Sequence, residues 1–465
     1  MIVLLLGAVS PLLLGFCLLR FLAPNRSLVL QLSFGAGIGA GLCSCLFFLS
    51  LVTGLPSLSL EALALIAAIA LFSHGYIKAR STRARQTLSE IPWNTIDKVL
   101  GIAFTFACLA GLAGFLSALR DSPHGSWDAW AIWNTHARFL ASPAWRDGFS
   151  PLLIYSHPDY PLLLPGLIAR TWRAAGGQEL TAPALAAAGF TCATVGVLVS
   201  SLAALKGRAQ GLIAGILLVS TQLFVAHGAS EYADVPAGFF LLSALAALAL
   251  AHSPPQGSPS ARGNARDLGW VLPGLAAGFA AWTKNEGWML VLAFAALSLF
   301  ALIRRDTRIM YTRRILMTAA GIAPILVIVL FFKYTFATAN EFVGGRSLAG
   351  LTIALSNPVR YLRVGRGLFS AVDGFNGGRF LLPAIGTAIC AFLTMDSPPT
   401  RSDHHIIAAR LCVCVLAIVA AGYLATLIIS PYDINWQVTT TLDRLLLQLL
   451  PACLFTAFLG MRTLR

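Results

Sequence analysis

Apolar residues in this chain fall in long unbroken runs, separated by short polar or charged stretches. A run of about 20 such residues suffices to cross a bilayer as a helix, whose backbone amides are all satisfied internally. Hydropathy places about thirteen spans. They lie near 2–20, 28–52, 58–76, 98–119, 181–204, 210–229, 234–252, 269–283, 286–303, 314–336, 379–397, 406–430 and 443–461. The pattern predicts an all-α, polytopic transmembrane protein. The first run, MIVLLLGAVSPLLLGFCLLRFLA, lacks a basic leader region and a cleavage site, so it reads as a retained span.

Composition strengthens this reading. Of 465 residues, 57% are hydrophobic and only 11% charged, against about a quarter charged in a soluble domain. The formal net charge of +14 arises from 33 Lys+Arg against 19 Asp+Glu. In a membrane protein this excess marks cytoplasmic loops. No soluble stretch interleaves basic and aromatic residues, so nucleic acid is not an expected partner. The nine cysteines fall in apolar spans and read as small buried hydrophobes.

Charge also sets an expected topology. HGYIKARSTRARQ (with Lys78, Arg80, Arg83 and Arg85), LKGRAQ, SPPQGSPSARGNARD and IRRDTRIMYTRR alternate consistently as inner loops. The N-terminus is then outside, and Arg462 and Arg465 inside. Asp403-His404-His405 is read as a solvated inner loop. The outer side holds residues 120–180, 337–378, PYDINWQVTTTLDR, and the charged corners HGASEYAD and WTKNEGW. It also holds Arg138, Arg146, Arg170, Arg173, Lys284, Lys333, Arg346, Arg360, Arg363, Arg366, Arg379 and Arg444. So many outer cations run against the usual bias, and substrate phosphate or anionic lipid headgroups are the expected counter-ions.

The strip SWDAWAIWNTHARFL lies in the first outer segment. At 100° per residue Trp130, Trp133, Ala137 and Leu140 share a stripe, with Asp128 on the opposite side. An interfacial helix is expected, its tryptophans toward lipid and Asp128 toward protein. Ser126 is the expected N-cap, and a dipole-complementing role for Asp128 is the competing reading. Further outer acids sit at span ends: Asp159 beside His157, Glu231 and Asp234 in EYADVP, and Glu286 beside Lys284. Ionisable residues between spans usually face a cavity.

This order of features resembles the GT-C superfamily of membrane glycosyltransferases, nearest the protein O-mannosyltransferase and lipid A aminoarabinose transferase branch. The resemblance covers roughly residues 98–465. It rests on Asp128 in its strip, HPDYPLLLP, YADVPAGFFLLSALAAL, GLAAGFAAWTKNEGWMLVLA and TLDRLLLQLLP. It divides the chain into an N-terminal three-span extension (1–97), a GT-C-like module (98–340, with outer loop 120–180), and an outer loop with C-terminal spans (341–465).

The resemblance implies inverting transfer of a sugar from a polyprenyl-phosphate-linked donor to a glycan, lipid or protein acceptor. The reaction would take place on the outer face of a bacterial cytoplasmic (inner) membrane. Asp128 is then the expected catalytic base, with Asp121 second. Lys284, Arg379, Arg444, Arg138 and His157 are candidates for the donor phosphate. Glu231, Asp234, Asp159 and Glu286 are candidates for the acceptor or for a divalent cation, Mg or Mn. His136 is a further candidate assistant. A polysaccharide polymerase or ligase, a lipid or solute transporter and an inactive scaffold are the alternatives.

Overall fold

The computed structural model describes residues 2–24, 26–82, 92–253, 268–303, 305–340, 348–372, 378–393 and 403–463. Arg83, Arg85, most of the Pro/Ser-rich loop, Arg346 and Arg465 lie outside the described residues. Within the described residues the chain is helical, with no strand.

The chain opens with α1 (Ile2–Leu22), α2 (Leu28–Thr53), α3 (Ser57–Thr82) and α4 (Thr95–Asp121). A π-turn (Ala129–Trp133) runs into α5 (Asn134–Ala141), and α6 (Leu163–Ala175) follows. Next come α7 (Thr181–Lys206), α8 (Arg208–Val219), α9 (Gln222–Ala229), α10 (Asp234–His252) and α11 (Val271–Thr283). Then follow α12 (Trp288–Ile303), α13 (Arg305–Thr335), α14 (Leu348–Ser356), α15 (Pro358–Ser370) and α16 (Leu381–Leu393). The last are α17 (Asp403–Ile429), the short α18 (Ile434–Gln437) and α19 (Asp443–Gly460).

Among the described residues eight helices are long and apolar enough to cross a membrane. The pair α8–α9 makes a ninth if taken as one span, and four apolar helices are shorter. The run at 210–229, expected as one span, is two helices bent by 66°. At the break Thr221 Oγ1 donates back to Leu217 O at 2.8 Å, and the chain leaves helical geometry without a Pro or Gly to announce it. His405 stands inside α17 rather than in a loop.

The centre of the bundle is α10, buried along 94% of its span. Around it pack α2, α7, α11, α17 and α19. The second helix of the extension, α2, therefore belongs to the main core. Small residues permit the close crossings. A Cβ on Gly39 would meet Pro11 O of α1 at 1.7 Å, and one on Gly274 would meet Thr318 O of α13 at 2.0 Å. By contrast, α4 is almost wholly peripheral, with 6% of its span buried, as a lipid-facing helix requires.

Aromatic packing clamps the segment after α5 onto the spans. Trp145 meets Phe336 (5.1 Å), Phe149 meets Phe332 (5.3 Å), and Phe48 meets Trp282 (5.5 Å). A polar relay continues it: Trp282 Nε1 donates to Ser44 Oγ (3.1 Å), which donates to Leu162 O (2.9 Å). Buried donors thereby find acceptors without water.

Candidate functional site: an acid–base cluster at one end of the bundle

Asp128 precedes the π-turn and makes no capping bond with its side chain. Its Oδ2 instead accepts from Arg444 Nη2 of α19 at 2.6 Å. Arg444 also grips Asp234, the first residue of α10, with Nε at 3.0 Å and Nη2 at 2.9 Å. The other oxygen of Asp234 accepts from Lys284 Nζ (3.0 Å) and Gln448 Nε2 (2.7 Å). Lys284 reaches Glu286 at 3.1 Å, and Tyr423 Oη donates to Gln448 at 2.9 Å. Three carboxylates thus face two cations at the ends of α10, α11 and α19.

Burial grades this chain of charges. Asp234 is fully buried and Lys284 is 4% exposed, whereas the Asp128 and Arg444 side chains retain 16% and 21%. Asp234 and Lys284 form the enclosed foundation, and Asp128 is the open end. Arg444 lies over the Tyr232 ring at 4.9 Å, and the Tyr232 hydroxyl accepts from the Asp128 amide at 3.3 Å. Among the described residues, Asp128 Oδ1 and Arg444 Nη1 have no protein partner.

The strip itself departs from its expected orientation. Trp133, Ala137 and Leu140 point into the protein core, and Trp133 is 1% exposed. The outward aromatic pair is Trp127 and Trp130, edge to face at 4.4 Å. The π-turn adds a residue to the turn and so rotates Trp130 off the stripe. Ser126 does not cap by its side chain. Its amide and hydroxyl fasten to Ser230 (3.2 and 3.3 Å), joining the segment after α4 to the EYADVP corner.

The remaining candidates divide. Asp159 accepts from Asn285 and Asn340 (both 2.7 Å), and Lys333 bonds its main-chain oxygen and stands 3.8 Å from its carboxylate. Since Lys284 and Asn285 are consecutive, the corner WTKNEGW joins this second cluster to the first. Glu231 holds a left-handed backbone (φ 60) and accepts from Asn134 at 3.1 Å. Its Oε1 is buried without a partner, and burial pushes its carboxyl up to about 7, against the opposing pull of Asn134. Asp121 closes α4, exposed and outside the cluster. Arg138 is exposed on α5, and Arg379 is exposed and paired with Asp443. His157 stacks on Tyr160 at 4.7 Å. Burial lowers His136 to about 4, which keeps it a neutral core residue at physiological pH.

Several of the cations expected to meet phosphate or lipid on the outer side find partners within the protein. Arg170, 3% exposed, pairs with Glu61 of α3 and donates to Gly7 O of α1 at 2.7 Å. Arg360 donates to the carbonyls of Ser430 (2.9 Å) and Tyr432 (3.2 Å), and Arg363 to Asn435. Lys284, expected at a donor phosphate, is enclosed as the counter-ion of Asp234. Asp234 and Glu286 share Lys284, whereas Glu231 and Asp159 serve other partners. Among the described residues no group of three or more His, Cys, Asp or Glu is placed to hold a metal ion.

Sequence reading missed Gln448, Tyr232, Tyr423, Asn285 and Asn134. Gln448 carried a signal: it lies four residues after Arg444, on the same helical face. The others are polar residues whose importance comes from neighbours distant in sequence.

Fold and site together define an α-helical membrane protein with an acid–base cluster where several helices end. Comparison with family models, curated proteins and solved structures returns no match.

Proposed function

We propose that the chain is a membrane glycosyltransferase moving a sugar from a polyprenyl-phosphate-linked donor onto an acceptor hydroxyl. The observation that carries the reading is the arrangement of Asp128: Oδ2 held by Arg444, Oδ1 unpaired, at the open end of an otherwise buried charge chain. In the proposed step Oδ1 takes the acceptor proton and the acceptor oxygen attacks the anomeric carbon. The bond from that carbon to the phosphate oxygen breaks on the opposite face, so the configuration inverts. The electron pair leaves with the phosphate, for which Arg444 Nη1 is an unused donor. Preorganised cations of this kind act where charge develops and need no reorganisation at the moment of reaction. Asp234 and Tyr232 serve as positioning residues, fixing Arg444 from both sides.

Loop charge supports an outward-facing site, and the resemblance to GT-C enzymes implies a bacterial cytoplasmic membrane. A polymerase or ligase would present the arginines of segment 341–379 to its substrate, yet Arg360 and Arg363 are engaged in the fold. The transporter alternative gains one broken helix pair at α8–α9, whereas such folds use broken helices in matched halves. Lipid extracts from a strain lacking the protein test the reading. An accumulated sugar–polyprenyl phosphate is the expected result, and an unchanged set of lipids and surface glycans contradicts it.

A further inference from the structure

The opposite end of the bundle holds a second charged feature that the transferase reading does not use. Arg444 and Gly460 stand near the two ends of α19, about 24 Å apart at 1.5 Å per residue. Gly460 therefore lies across the membrane from the acid–base cluster. There a cavity of about 430 Å³ has Lys206, His405, Ile406, Arg410, Val413 and Gly460 in its lining. Lys206 ends α7 and is only 4% exposed, and among the described residues it has no hydrogen-bond or ion-pair partner.

A buried ammonium without a counter-charge is costly. Among the described residues the other deeply buried cations, Lys284 and Arg170, each have a carboxylate. Lys206 has a cavity instead, shared with Arg410 and His405, and no Asp or Glu is among the lining residues. Arg410 is exposed and likewise has no partner among the described residues. Ser253 Oγ lies 3.3 Å from His405 Nδ1, which ties α17 to the end of α10 at this point. The remaining wall is apolar: Ile406 is 48% and Val413 55% exposed, where a bilayer would place acyl chains. A cationic head of the pocket, an aliphatic flank and a position at span ends together match one ligand chemistry, a phosphate diester carrying fatty chains.

We infer that Lys206 and Arg410 bind the phosphate of an anionic glycerophospholipid in this cavity, with its acyl chains along Ile406 and Val413. The site stands independently of any catalytic role for Asp128. Native mass spectrometry of the full-length protein in detergent tests it, with phosphatidylglycerol and phosphatidylcholine added as competing probes. The wild type retains phosphatidylglycerol over phosphatidylcholine by about tenfold or more, as expected for charge-assisted contacts. Lys206→Met reduces that retention about tenfold, because it removes the buried donor while keeping the side-chain volume. Arg410→Gln alters an exposed side chain, so it reports on the site even where Lys206→Met yields no folded protein; it reduces retention severalfold.

Three results overturn the inference: undiminished phosphatidylglycerol on a folded variant, equal retention of the two lipids by the wild type, or displacement of phosphatidylglycerol by millimolar inorganic phosphate. The last would assign the cavity to a soluble anion.

Discussion

Asp128 and Arg444 are 316 positions apart in the chain and 2.6 Å apart in space. Their contact closes the bundle at one end, because Asp128 precedes the π-turn that follows α4 and Arg444 belongs to the last long helix. Arg444 simultaneously holds Asp234, so one guanidinium organises an open carboxylate and a buried one.

The two carboxylates differ in what they do for stability. Arg444→Met leaves the fully buried Asp234 with Lys284 as its one remaining cation, and a broken buried pair costs about 3–5 kcal/mol. Asp128→Asn removes the charge from the partly exposed end and costs about 1 kcal/mol or less. Thermal unfolding in detergent checks both: a large loss for Arg444→Met and a small one for Asp128→Asn.

Glu231 gives stability a pH dependence. Burial raises its carboxyl from 4.5 to about 7 in the folded chain. Between these values the folded protein keeps a proton that the unfolded chain has released. Stability therefore falls as pH rises from about 4.5 to about 7 and is flat above, by on the order of 3 kcal/mol in all. Melting curves from pH 5 to 8 should show this slope in the wild type. In Glu231→Gln the slope is reduced, and that variant is the more stable of the two at pH 8.

Gly125 sets the approach of Asp128. It has φ 72, and a Cβ there would stand 2.4 Å from Ala129 Cβ and 2.8 Å from Ser230 O. Gly125→Ala is expected to cost about 1–3 kcal/mol in backbone strain and to displace Asp128 from Arg444. Its melting temperature and the proposed transfer activity should fall together, unlike those of Asp128→Asn.

The extension is fastened by a buried ion pair. Glu61→Ala leaves Arg170 buried among α1, α3 and α6 without its carboxylate, at a cost of about 3–5 kcal/mol. Hydrogen exchange should show α3 deprotected first, with α10 unaffected. Uniform deprotection of all helices would mean that the pair does not hold α3 specifically.

Much of the helix framework was legible from hydropathy. The runs at 181–204 and 234–252 match Thr181–Lys206 and Asp234–His252, because bilayer-length apolar runs have few other solutions. The bend at Ser220–Thr221 was not legible, since it has no proline or glycine signal. The facing of Trp130 and Trp133 was misread because a uniform 100° step does not contain a π-turn. That Asp128 turns toward protein was legible from its strip. The identity of its partner was not: nothing local in TLDRLLLQLLP chooses between Asp128, Asp234 and a ligand phosphate. The same limit applies to Arg170 and Arg360, read as cations awaiting an external anion when their partners lay in distant helices and carbonyls.

The proposed role of Asp128 is tested most directly by complementing a strain that lacks the protein with wild-type or Asp128→Asn chains at matched membrane abundance. A general base contributes about 10²–10⁴-fold to rate. The wild type should then clear the accumulated sugar–polyprenyl phosphate, while Asp128→Asn leaves it in place although its melting temperature is close to that of the wild type. Full clearance by a folded Asp128→Asn protein would contradict the account.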